Sequence, residues 1–524
     1  MKRSLLAGLL FSALLLTFGF GIGHRAAAQS QPTPVPQMPF WMASVLRQAA
    51  HAPLPVDPTL AGKTPAVISQ TLATANPSGT LTSYQPAGDT KTSSNAYFTS
   101  LGSNGRTCFT CHQPQAGWSM NPQTAAAQFI ASQARDPLFA PVDGANCPDL
   151  GAAAHTLTQK MMASSQLLSK GNIRVFLPIP ANAQYKLKIL HDPYGCENSP
   201  TYGLPTGGIS MYRRVMNSAN LAMNGQFVSG STTINSNGAI MWDGREPSLE
   251  SQFNDATLGH AQALKPPSAE QIAQGVAFER GLYAAQSYDN TARSLTAAGA
   301  SGGPVALSAD EPVVNAAGKE GMNMFDAWAG SSQAARASIS RGQDIFNNRQ
   351  FTTTGVAGLN DTRGNPATAT CAGCHSNQNV GSSVNAGGKH LGIGDNSSAD
   401  QSGNQTAATF LPPSVDQPLF SFLCPRDVNG KSIIPFFSNP VTIDGVTYDD
   451  FQTSDPGMGL ITGKCADLGK FKVPRLRELA ARAPYFHGGN AASIQDVVEF
   501  YNTRFNLGFT DQEKQDLINF LNTL

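Results

Sequence analysis

The run Cys108-Phe109-Thr110-Cys111-His112 sets two thiols three positions apart, with an imidazole directly after the second. On a helical turn such thiols share one side, where they can add to the two vinyl groups of a haem while the imidazole ligates the iron. The same pattern recurs at Cys371-Ala372-Gly373-Cys374-His375. A Cys-x-x-Cys pair alone could be half of a zinc site or a redox dithiol. The histidine directly after both copies points instead to two covalently bound haem c groups. Cys108, Cys111, Cys371 and Cys374 would hold them, with His112 and His375 on the irons.

Both motifs need elements to deliver them. Tyr97, Phe98 and Leu101 fall at helical spacing ahead of the first, and Gly102 and Gly105 lead into it. A helix over about Gln333 to Asn347 delivers the second. Trp118 is expected either at a haem edge or as one more core aromatic. From 119 to 237 runs a long insertion, with helical patterns at Thr124 to Ala134 and Ala152 to Ser169 and alternating segments near Ile173 to Leu177 and Tyr185 to Leu190. His155 and His191, inside it, read as surface residues. Met241-Trp242-Asp243-Gly244-Arg245 is an Asp-Gly turn, and Ser268 starts a clear helix. Ala297 to Pro312 is rich in Gly, Ser and Ala and reads as a boundary, Gly387 to Pro413 as loop, and residues up to about Ser94 as chain wrapping the surface. Near the end, Ser493 with Asp496 forms a capping box, and Ile494, Val497, Val498, Tyr501 and Phe505 share one helical face. Thr510 with Glu513 caps a last helix. A phenol on that inward face needs a partner, which makes Tyr501 a candidate sixth iron ligand. The thioether of Met458 is the rival, and a core tyrosine bonded to a backbone carbonyl the plainer alternative.

The chain has 524 residues, 41% of them hydrophobic, enough for two or three domains. Lys+Arg and Asp+Glu both number 35, so no charge excess suggests nucleic acid or an acidic membrane as partner. Gly 50 and Pro 35 with only 13% charged residues imply long ordered loops. Lys2 and Arg3, the apolar run Leu5 to Ile22 and Ala26-Ala27-Ala28 form an export signal cleaved after about Ala28; a retained anchor is the alternative. Gln31 to Phe40 reads as a proline-rich linker. No later stretch approaches the ~20 apolar residues of a membrane span, so the mature chain is expected in the periplasm. The remaining cysteines, Cys147, Cys196, Cys424 and Cys465, allow three pairings. Cys147 with Cys196 and Cys424 with Cys465 are expected, since each pair closes a local loop in an oxidising compartment.

The order Cys-x-x-Cys-His, Trp-Asp-Gly-Arg, Cys-x-x-Cys-His, Phe-Lys-x-Pro-x-Leu-Arg (471–477) and Pro-Tyr-Phe-His (484–487), then a helix with Val497-Val498 and Tyr501, resembles the bacterial di-haem cytochrome c peroxidase and MauG superfamily from about residue 95 onward. The long insertion suggests a long-chain subgroup. The resemblance makes the first haem reactive and the second an electron-transfer haem, with Trp242 relaying between them, Gln252 in the distal pocket and Tyr501 in the place of a sixth ligand to the second iron. Two departures stand out. Gln128 occupies the position of the histidine that caps the reactive iron in the resting peroxidases. Gln262 occupies that of the acid–base glutamate; an amide cannot shuttle a proton, which leaves His260, or less favourably Glu250, for that work. The family often binds calcium between its domains; here Pro484 survives but Arg482 replaces the neighbouring threonine.

The expected fold is mainly α: two cytochrome c-like haem domains packed together, with loop-rich insertions and a few short strands. Their bounds are a signal at 1–28, an extended segment 29–94, a first haem domain 95–330 with the insertion 119–237, and a second domain 331–524. The expected activity is reduction of hydrogen peroxide at the first haem, with electrons from a small donor protein, a cytochrome c or cupredoxin. MauG-like oxidation or oxygenation of a protein or organic substrate, and plain electron transfer, are the alternatives.

Overall fold

Polar, Thr-rich segments that carry little hydrophobic signal form more of this fold than their composition suggests. The structure, a computed structural model, describes residues 62–223, 226–229, 232–235, 240–310, 321–383, 387–396 and 411–524. They lie in the unit Val45–Leu524; the expected export signal and the 31–40 linker fall outside them. Helix accounts for 34% and strand for 20% of the described residues, so the expectation of a mainly α fold with a few short strands is wrong. The strands form six small sheets, none wider than four strands.

Thr71–Asn76 and Gly79–Tyr84 make a hairpin, where a surface wrap was expected, and Tyr283–Asp289 pairs with its second strand. The outer strand alternates only between exposed and half-buried residues, so it carries no strong period-2 signal. The other partner of Gly79–Tyr84 lies some two hundred positions away. A second four-stranded sheet runs Pro440–Ile443, Val446–Thr453, Leu419–Pro425, Lys186–His191. The insertion therefore contributes a strand to the later half of the chain, and Phe420, Phe422 and Phe451 bury their rings beside it. Its other pair, Asn172–Pro178 with Gly208–Arg214, is antiparallel, and the Arg214 carbonyl at its end accepts the Trp242 indole N–H. Both expected disulfides are present: Cys147–Cys196 and Cys424–Cys465. The helical pattern 152–169 is broken into Leu157–Ala163 and Ser165–Lys170, and the expected boundary at 297–312 holds a short helix, Pro304–Ala309.

Two apolar clusters sit beneath the two haem motifs. Tyr97, Phe98, Phe109, Trp118 and Phe278 pack under the first. Under the second, the helices Ala334–Asn348 and Asp511–Leu521 cross closely enough that a Cβ on Gly342 would lie 2.0 Å from the Asp516 carbonyl oxygen. The Asp516 carboxylate then takes both Arg341 Nε (2.7 Å) and Nη2 (2.8 Å), which fixes the crossing. Phe346, Phe520 and Trp328 fill the space below.

Candidate functional site

Each haem motif is one helical turn, Cys108–Cys111 or Cys371–Cys374, preceded by a threonine. Thr370 Oγ1 accepts the Gly373 N–H at 3.0 Å, and in the first motif the Thr107 N–H donates to Thr110 Oγ1 at 3.0 Å. His112 and His375 close their turns with N–H bonds to the first cysteine's carbonyl. Six residues beyond each histidine a backbone carbonyl meets its Nδ1: Trp118 at 3.0 Å for His112, Gly381 at 2.5 Å for His375. That bond fixes the tautomer and leaves Nε2 to act as a ligand. Burial, partly offset by those carbonyls, pulls both imidazoles down to about 4, so they stay neutral at ordinary pH. The four motif thiols form no disulfide. Burial pushes Cys111 and Cys371 up to about 12 and Cys108 and Cys374 upward. Thiols held neutral in this way suit neutral thioether bonds and are poor redox dithiols. Among the described residues no cluster of three or more His, Cys, Asp or Glu could hold a bare metal ion.

Each motif opens into a large cavity, about 1320 Å³ at the first and about 1660 Å³ at the second, counting the parts open to solvent. The first is walled by Cys108, Cys111, His112 and one side of the Leu249–Gly259 helix, with Gln252, Phe253, Ala256 and Thr257 at helical spacing and His260 just past its end. The second is walled mostly by apolar side chains, Phe346, Phe351, Val356, Leu359, Ile393 and Phe505 among them, beside Cys371, Cys374, His375 and Tyr501. Trp242, Arg214, Val215, Lys472 and Arg475 line both cavities and form the divider between them. Trp242 is 7% exposed; its Nε1 donates to the Arg214 carbonyl at 2.8 Å, and its own carbonyl accepts the Lys472 N–H at 2.8 Å. The rest of the Trp-Asp-Gly-Arg turn is held by charge. Asp243 pairs with Arg213 and Arg245, and Arg213 also grips Asp455 with two bonds, 2.6 and 2.8 Å.

The structure brings Trp242, Gln252 and His260 to the first cavity and Tyr501 to the second. Gln262 is elsewhere: it is exposed, with φ 54°, and its side-chain oxygen accepts Asn104 Nδ2 at 3.3 Å outside the cavity wall. Glu250 is also outside, half-exposed and paired with Arg280 at 3.2 Å. Gln128 is fully buried in the Pro122–Ser132 helix and does not line the first cavity. Met458 does not line the second; it precedes a short turn, with its methyl against Gly388. Trp118 is a core aromatic, its Nε1 on Ser83 Oγ at 2.7 Å, and serves the motif through its carbonyl instead. His155 and His191 are exposed. The Tyr501 ring stacks on Phe505, and burial, with the two motif thiols adding to it, pushes its hydroxyl up.

Sequence reasoning did not single out several cavity groups. Arg106 lies two residues before the first cysteine and bonds Asp143, which in turn takes His260 Nδ1 at 2.5 Å. Burial works against the Asp143 charge, yet Arg106 and His260 hold its carboxyl below the usual range. Glu279 is buried in the wall with an unpaired carboxylate oxygen, and burial pushes it up to about 8. On the divider, burial and then Arg475 bring Lys472 down to about 7, and burial and then Arg482 bring Arg214 down to about 9. A cofactor bearing carboxylates would offset exactly this deficit of negative charge, as haem does with its propionates. Two thiols, an imidazole with its far nitrogen engaged and buried cations facing the cavity form a donor set that fits haem c at both sites. Near the positions tied to calcium by resemblance, the Arg482 carbonyl accepts Arg214 Nη2 at 2.7 Å.

No family model matches the chain. Segments of it are similar to curated proteins. One is a cytochrome-c peroxidase of Denitromonas iodatirespirans, 36% identical over 93 residues, covering 15% of this chain and 25% of that protein. A cytochrome-c peroxidase of Pseudomonas sp. (strain SCT) is 40% identical over 81 residues, 13% and 21% of the two chains. The cytochrome c551 peroxidase of Nitrosomonas europaea is 36% identical over 80 residues, 15% and 24%. The chain thus spans about a quarter of the length of the curated relatives it matches. A solved MauG-like protein associated with microbial copper homeostasis is 17% identical over 60% of this chain and 76% of its own, at a TM-score of 0.26, and nothing is carried over from it. Part of this chain is cytochrome c peroxidase-like in sequence. No described helix is long and apolar enough to cross a membrane.

Proposed function

We propose that this protein is a periplasmic di-haem c-type oxidoreductase that reduces hydrogen peroxide at the first haem, with electrons relayed through the second. One observation carries the reading: two cavities, each built on a Cys-x-x-Cys-His turn, share a divider through Trp242. The peroxidase-like segments support it, and the disulfides and the expected export signal support the compartment.

Cys108, Cys111 and His112 would hold the first haem, and Cys371, Cys374, His375 and Tyr501 the second. When bound, haem supplies the iron at which a peroxide O–O bond is cleaved and a store for the two electrons and holes involved. The chain's own groups do the rest. Carbonyls of Trp118 and Gly381 aim the two proximal rings. His260 Nε2, free while Nδ1 sits on Asp143, takes a proton from entering peroxide and returns it to the departing oxygen. Gln252 orients the oxygens by donating from its amide. Trp242 lies in the only stretch of wall common to both described cavities and carries oxidising equivalents across it. A small donor protein, a cytochrome c or cupredoxin, supplies the electrons, so that peroxide with two electrons and two protons yields two waters.

A second reading, MauG-like oxidation of a protein or organic substrate, is favoured by the presence of Tyr501 rather than Met458 in the second cavity. Stoichiometric peroxide added to the purified di-haem protein separates these. Changes in both the Soret and near-infrared bands, followed by fast turnover with reduced cytochrome c, are expected. Peroxide reactivity without donor turnover moves the assignment to the second reading, and unchanged spectra defeat both.

A further inference from the structure

His260 is an unusual replacement for a carboxylate base because a lone imidazole can present either nitrogen and rotate freely at 35% side-chain exposure. Here it is not lone. Asp143 Oδ2 takes its Nδ1 at 2.5 Å, and the Asp143 side chain is only 5% exposed. The other Asp143 oxygen is bonded by Arg106 Nη1, and Arg106 also donates to the carbonyls of Pro137 and Leu138, each at 2.8 Å. The loop carrying Asp143 is therefore clamped onto the residue just ahead of the haem turn. His260 is fixed from behind as well, its carbonyl accepting Asn104 Nδ2 at 2.8 Å. Two close approaches leave no room for slack. A Cβ on Gly144 would lie 2.1 Å from the Leu138 oxygen, and one on Gly102 would lie 1.8 Å from the Ala261 oxygen. Four residues after Asp143 comes Cys147, bridged to Cys196 across the insertion.

We propose that Asp143, supplied by the long insertion, is a positioning residue that holds the His260 ring with Nδ1 protonated and Nε2 turned to the first cavity as a proton acceptor. A weak acid entering the cavity gives its proton to Nε2, and the imidazolium so formed is neutralised by the Asp143 carboxylate. In this arrangement the insertion supplies the orienting half of the acid–base pair, while the Leu249–Gly259 segment supplies the half that meets the ligand. The proposal rests on the peroxide reading only for the identity of the physiological acid.

The experiment uses the purified di-haem protein and two probes that both arrive protonated, hydrogen cyanide binding to the ferric protein and hydrogen peroxide. Asp143→Asn keeps the shape and removes the charge; Asp143→Glu keeps the charge for Arg106 and displaces the carboxylate from Nδ1. Both are expected to slow cyanide association and the peroxide reaction on the order of 100-fold, as loss of an oriented base does, with two haems per chain and an unchanged second-haem spectrum. Asp143→Asn in a His260→Gln background should cost nothing further, because the two act as one unit. Cyanide and peroxide rates within twofold of the parent in a fully loaded variant, or losses in the double variant that multiply, overturn the proposal. If the parent ignores peroxide while cyanide association still falls in both variants, the peroxide reading fails and this one stands.

Discussion

The two haem motifs are built alike and housed differently. Each is a single turn after a threonine, with a histidine whose Nδ1 is caught by a carbonyl six residues on. What surrounds them diverges. The first cavity presents His260 and Glu279, which can accept or store protons, beside Arg106 and Gln252, which offer hydrogen bonds. The second is lined largely by phenylalanine, leucine, valine and isoleucine, with Tyr501, Tyr485 and His487 among its side chains besides the motif's own. Attachment is thus built alike at the two sites, and the walls differ. On the proposed reading, a site that must break a bond needs mobile protons, whereas a site that only holds charge does not.

That contrast can be broken most directly by emptying one site at a time. Replacing Cys108 and Cys111 by alanine, or Cys371 and Cys374, should each leave one covalent haem per chain in a pyridine haemochrome assay. Loss of the first pair should abolish the peroxide-induced change, and loss of the second pair should leave that change in place at the first site, which His260 lines. If instead losing the second pair alone removes all peroxide reactivity, the assignment of roles is reversed. A smaller effect is expected at the divider. Trp242→Phe keeps most of the packing but loses the indole and its bond to the Arg214 carbonyl. Rapid-mixing spectra should show first-site reaction within about twofold and arrival of oxidation at the second haem slowed about tenfold or more, an effect of about 1.4 kcal/mol on the barrier. Equal slowing at both haems would mean that Trp242 serves only to pack. The smallest change should come from Tyr501→Phe, which alters the second haem's resting spectrum and potential while first-site peroxide rates stay within about twofold of the parent; an untouched second-haem spectrum would return Tyr501 to the hydrophobic core.

What could be read from the chain follows the range over which each feature is specified. The haem turns, the capping boxes at Ser493 and Thr510 and the inward placement of Tyr501 are local, encoded within a few residues. Both disulfides close loops of modest length, 49 and 41 positions, and were open to the same reasoning. Asp143 was not, because it sits 117 positions from His260 in a stretch whose local pattern says only that it is loop. Arg106 had a faint signal, its place two residues ahead of a cysteine, but arginine there has many uses. Gln262 was misplaced for the opposite reason: His260 lies two positions away, and at the end of a helix that spacing turns one side chain inward and the other to solvent. The excess of strand was hidden because Thr71–Asn76 and Gly79–Tyr84 are rich in threonine, serine and glycine, and long-range pairing, not periodicity, makes them a sheet.

The divider is tied on both sides of Trp242. Its indole bonds a carbonyl of the Gly208–Arg214 strand, and the chain at Lys472 bonds the tryptophan's own carbonyl. Three remote segments are thereby stitched together, one link through the indole and the other wholly through main-chain atoms. On the proposed reading, side-chain changes at Val215, Lys472 or Arg475 would retune energy levels on either side while these links keep the width of the gap between the sites. Spacing and tuning would then be inherited separately, so a descendant could alter the chemistry of the first chamber without rebuilding the partition behind it.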